Sequence, residues 1–186
     1  MRWVPFAIFS YLFIVLQCSL NRILVIDGLP MGPFGPDLVV ILALFVALYV
    51  GELIEGMIAG WILGMMMDLT TSGFDGRLGM MSIFFALCVW MIHGAREALF
   101  RERALPQMLI AGVFVIITHG LWVTFQSIFS FGLISWGVYG TMVIQVLMTA
   151  LYTALLTPLV VVALRPVTRW IMDLPSTTGR PSRVWR

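Results

Sequence analysis

Lysine is absent from these 186 residues, and all eleven basic side chains are arginine. That removes Schiff-base chemistry and a Walker-type phosphate loop, both of which use a lysine amine. Charge of either sign is scarce, at 11% of the chain where about 25% is usual. Cysteine occurs twice, and Cys18 and Cys88 both lie inside apolar runs. A disulfide is therefore not expected, and neither thiol has the neighbours a metal site needs. No H-E-x-x-H, G-x-S-x-G or C-x-x-C pattern is present. Asp75-Gly76 opens like a membrane alcohol-phosphotransferase signature, but the further aspartates of such a metal site do not follow. The expectation is a chain with no catalytic constellation, no cofactor, no metal and no nucleic-acid partner.

What is abundant is apolar surface. Hydrophobic residues make up 61% of the chain, above the usual figure of about 45–50%, and they gather into long runs. This marks an all-α integral membrane protein, one domain across 1–186, with its helices in a single bundle solvated by lipid. Six segments can be drawn: Trp3 to Leu20, Leu38 to Val50, Leu53 to Leu69, Leu78 to His93, Leu105 to Phe129 and Val138 to Leu164. The second is short, roughly 20 Å of helix against a hydrocarbon core of about 30 Å. It must extend back through Pro36 and Asp37 (36–50), thin the bilayer, or be shielded by its neighbours. Pro36 and Pro106 stand where a first-turn proline is tolerated, and Pro166 stops the last helix. Pro158 should kink that helix, with Thr153 and Thr157 near the freed carbonyl. Trp3 to Leu20 reads as a retained helix, because no small-residue cleavage site follows it, and Gln17 fills the position that a lipoprotein processing site keeps small.

Arginine placement sets the orientation. Arg2, Arg96, Arg101, Arg103, Arg165, Arg169, Arg180, Arg183 and Arg186 fall on one side of six crossings, and only Arg22 and Arg77 on the other. By the positive-inside rule both termini are cytoplasmic, with 165–186 a cytoplasmic tail. Glu52 and Glu55 then lie in a tight cytoplasmic turn, and Asp37, Asp68 and Asp75 near the outer surface. The segment Asn21 to Asp37, rich in glycine and proline, reads as an ordered outer excursion. In the connector 93–103, Glu97 and Arg101 stand at i, i+4.

Within the third segment Gly56, Gly60, Gly64 and Asp68 recur every four residues, forming one ridge on a helix. In lipid such small residues let a second helix approach closely, so the three glycines are expected to be a packing seam ending in a carboxylate. Four polar groups are placed in the outer half of the bundle: Asp68, His119, Gln126 and Gln145. They define either a polar pocket or docking surface, or interhelical hydrogen bonds that only fix packing. For Asp68 the alternatives are a functional charge and a cap for the following loop.

These residues carry a resemblance. Pro36-Asp37-Leu38 opening the second helix, the glycine-spaced third helix, Gly64-x-x-x-Asp68-Leu69, then Ser72-Gly73 and Gly79 resemble the MreD family of bacterial rod-shape-determining membrane proteins. The likeness runs from Gly35 to Ala86, and the chain departs from it at Phe74-Asp75-Gly76-Arg77. The resemblance implies a six-helix fold like that of the substrate-binding subunits of energy-coupling-factor vitamin transporters. It implies a non-enzymatic role in cell elongation, cell shape and peptidoglycan synthesis at the bacterial inner membrane. The implied partner is a single-span MreC-like protein, linking to MreB-like filaments and peptidoglycan synthases. Candidate partner-binding or pocket residues are Asp37, Asp68, Gly73, Gly79, His119 and Gln145. The competing class is a transport subunit that binds a vitamin-like molecule in the same polar half.

Overall fold

The computed structural model describes residues 2–26, 33–71, 79–95, 104–129 and 136–167. Within them the chain is helical: α1 (Trp3–Leu24), α2 (Leu38–Tyr49), α3 (Leu53–Thr71), α4 (Met80–Ala95), α5 (Ala104–Phe129) and α6 (Trp136–Leu164), closed by a 3-10 turn at Arg165–Val167. Four of these, α1, α3, α5 and α6, are long and apolar enough to cross a membrane. The bounds drawn from hydropathy lie within four residues of these, the largest change being α1, which runs on to Leu24. Pro106 does sit in the first turn of α5. Pro36 does not sit in α2; it precedes the cap residue Asp37.

The second helix departs most from expectation. It has 12 residues, about 18 Å at 1.5 Å per residue, too short to span. The helix does not extend back through Pro36 and Asp37. Every side chain from Leu38 to Leu48 is buried, none more than 4% exposed, and α2 packs against all five other helices. Its sequence, LVVILALFVALY, has no polar face to present, which suits a helix enclosed on all sides. The bundle is thus built around α2, and α3 with its glycine ridge is one of the walls.

The walls come in two close pairs, α3 with α4 and α5 with α6. The glycine ridge makes the first pair possible. A Cβ on Gly64 would lie 2.5 Å from the Ser82 Cα and 2.6 Å from the Met81 carbonyl oxygen, and one on Gly60 would lie 2.8 Å from a Val89 methyl. Gly56 faces Val50 at 2.9 Å by the same construction. The seam is therefore a backbone-to-backbone approach of α3 and α4, tightest at Gly64. By contrast α1 docks through one stripe, Phe6, Ser10, Phe13 and Gln17, at helical spacing. The first three of these are buried, while Val4, Ile8, Tyr11 and Leu12 face outward.

Val50 to Glu52 makes the tight turn between α2 and α3, and an antiparallel bridge joins Ile26 and Phe34. Of the expected excursion, residues 21–24 belong to α1 and residues 27–32 lie outside the described residues. The connector residues 96–103, with Glu97 and Arg101, and the tail 168–186 lie outside the described residues, as do Gly73 and Asp75.

Candidate functional site

A helix that begins inside an apolar bundle leaves four backbone N–H groups, at the cap and the first three helical positions, with no intrahelical partner. At α2 all four are met. Asp37 N–H donates to the Thr153 hydroxyl of α6 at 2.9 Å, and Leu38 N–H donates to the Gln17 Oε1 of α1 at 2.7 Å. Val39 and Val40 both donate to Asp37 Oδ1 at 3.1 Å. Gln17 also donates through Nε2 to the Pro36 carbonyl at 3.0 Å, so one amide holds the chain on both sides of Asp37.

The second carboxylate oxygen of Asp37 faces α5, where Oδ2 lies 3.3 Å from His119 Nε2. The other imidazole nitrogen, Nδ1, lies 3.2 Å from the Thr118 hydroxyl. The Thr118 hydroxyl donates to the Phe114 carbonyl at 2.8 Å, and the Asp37 carboxylate stands at the favourable end of the α2 dipole.

Asp37 is an interior residue of the bundle, 2% exposed. Its partners Gln17, His119 and Thr153 each lie about 10 Å or more from the nearer end of their own helices at 1.5 Å per residue. Its depth follows from the shortness of α2. Thr153 and Thr157 also differ from the reading based on Pro158. Thr157 donates to the Thr153 carbonyl at 2.7 Å, and the Thr153 hydroxyl serves Asp37 across the bundle, so the pair anchors α2 to α6.

Asp68 does for α4 what Asp37 does for α2, but from the preceding helix. Its Oδ2 accepts from Gly79 N–H at 2.9 Å and stands 3.4 Å from Ser82 N–H. Its Oδ1 stands 3.4 Å from Met81 N–H. Gly79, at φ +102°, occupies the cap position of α4, a backbone conformation that favours glycine. Asp68 is 3% exposed. Of its two alternatives, the contacts match the cap, made to the helix start that also closes the glycine seam at Gly64.

The predicted site residues thus separate. Asp37 and His119 meet; Asp68 and Gly79 meet at the head of the α3–α4 pair; Gln145 is half-buried on α6 and is not a hydrogen-bonding partner of either group. Gln17 and Thr153 were missed as site residues. Gln17 was legible, because it continues the Phe6, Ser10, Phe13 stripe as a polar residue. Thr153 had no such signal, since its partner is 116 residues away in the chain. No protein-family model, curated protein or solved structure matches this chain.

Proposed function

We propose that the protein is a multi-pass scaffold of the bacterial cytoplasmic membrane, acting by association and without catalysis, with both termini on the cytoplasmic side. In this reading it serves the cell-elongation machinery as MreD-like proteins do. It binds a single-span MreC-like protein and through it MreB-like filaments and peptidoglycan synthases, on a fold of the energy-coupling-factor substrate-binding kind. One observation carries the reading. Among the described residues the two buried carboxylates cap helix starts, Asp37 that of α2 and Asp68 that of α4, and the bundle's outer faces, rich in exposed Leu, Ile and Val, are the surface it would offer a partner. The resemblance over Gly35 to Ala86 and the nine-to-two division of arginines support the same reading.

The test is purification in mild detergent from the native cell, with identification of what accompanies the chain. Co-purification of a single-span membrane protein with a periplasmic domain, and of peptidoglycan synthases, is the expected result. A pair of ATPases together with a bound vitamin-like molecule would replace the scaffold by a transport subunit.

A further inference from the structure

The two carboxylate oxygens of Asp37 have unequal duties. Oδ1 accepts the Val39 and Val40 N–H groups and is committed to the start of α2. Oδ2 is buried, and no backbone N–H or hydroxyl donates to it; among the described residues its polar neighbour is His119 Nε2 at 3.3 Å. The partners also differ in access. The Asp37 side chain is 3% exposed and that of His119 19%, so a proton reaches the ring without the bundle opening.

The pair stands apart from other charge. α5 packs against α2, α4 and α6, and along these three helices and their caps Asp37 is, among the described residues, the one with a formal charge at neutral pH. The other titratable side chains there are Tyr49 on α2, Cys88 and His93 on α4, and Tyr139 and Tyr152 on α6, while α5 itself has His119. Gln17 and Thr153, which complete the surroundings of Asp37, do not titrate. Asp68, the other buried carboxylate, serves the start of α4.

Between about pH 5 and pH 8 histidine is the side chain that gains or loses charge. We propose that His119 is a proton-binding site that latches α5 to the head of α2. The charged ring is drawn to Oδ2, whereas the neutral ring leaves that buried oxygen weakly met. A charge-assisted contact is shorter and stronger than a neutral one, and exclusion of water strengthens it further. The latch is therefore closed at the acid end of this window and slackens as pH rises, while the caps at Val39 and Val40 stay in place.

Two measurements on the full chain in lipid nanodiscs test the latch. The melting temperature of the wild-type protein should fall by about 2–4 °C from about pH 5.5 to about pH 8. His93→Gln should fall as much, whereas His119→Gln and Asp37→Asn should lose most of that drop. The second measurement leaves the pair intact. It uses His93→Gln, in which His119 is the one histidine remaining of two. Nitrogen NMR should show the His119 ring changing protonation across the same window. The Val39 and Val40 amides, which sit on the same carboxylate, should move with the same midpoint. A ring that holds one protonation state throughout, amides that stay still while it titrates, or an equal melting drop in the wild-type and His119→Gln proteins would overturn the latch.

Discussion

Asp37 Oδ2 and His119 Nε2 stand 3.3 Å apart between the start of α2 and the middle of α5, and the other ring nitrogen, Nδ1, lies 3.2 Å from the Thr118 hydroxyl. In a double-mutant cycle, Asp37→Asn and His119→Ala should couple by about 1 kcal/mol, the range found for polar pairs between membrane helices.

Partners that serve the start of α2 should be costly to remove. Gln17→Leu leaves the Leu38 N–H and the Pro36 carbonyl without this amide, and Thr153→Val does the same to the Asp37 N–H. Each should lower unfolding free energy by roughly 1–3 kcal/mol. Thr141→Val is the control: its exposed hydroxyl bonds only the Val138 carbonyl of its own helix, and the change should stay within about 0.5 kcal/mol. Chemical unfolding in detergent micelles reads all three.

Alanine along the glycines should produce a gradient. At Gly64 the new methyl meets backbone atoms of α4, which cannot rotate away, while at Gly60 it meets chiefly a Val89 methyl. Gly64→Ala should cost about 3 kcal/mol or more and Gly60→Ala about 1–2 kcal/mol. Gly112→Ala, whose Cβ would sit 3.7 Å from that of Ala154, should instead stabilise by roughly 0.5–1 kcal/mol. Thermal melts in a fixed detergent rank the three, and equal melting of the Gly64 and Gly112 variants would refute the seam.

Asp68→Asn looks isosteric but is not neutral here. Both carboxylate oxygens face N–H donors, so the amide must turn its own NH2 toward one of them. Loss of about 1–2 kcal/mol is expected, with the amides of Gly79 and Ser82 exchanging faster with solvent deuterium. Unchanged stability and exchange would return Asp68 to a role outside the fold.

Much of the architecture was legible because membrane helices must carry their hydrophobicity in long runs. The six segments emerged within a few residues, and the four-residue glycine period correctly announced close packing, though not against which helix. What hydropathy does not encode is enclosure: LVVILALFVALY reads the same whether lipid or protein surrounds it, and only its length hinted that it differed. Asp37 was singled out for its position before a helix, which is a local signal. His119 was singled out too, though not as its partner, while Gln17 and Thr153 were missed as site residues, because the three converge on Asp37 from three other helices.

The enclosure of α2 bears on how the chain is made. α2 emerges well before its surroundings are complete, because Thr153, which receives the Asp37 N–H, is synthesised 116 residues later. Until α5 and α6 enter, a 12-residue apolar segment has to wait with part of its cap missing, beside the insertion machinery or under a chaperone. Chains truncated before Thr153 lack the acceptor of the Asp37 N–H, and stable assembly of the bundle should therefore be reached only once α6 is present.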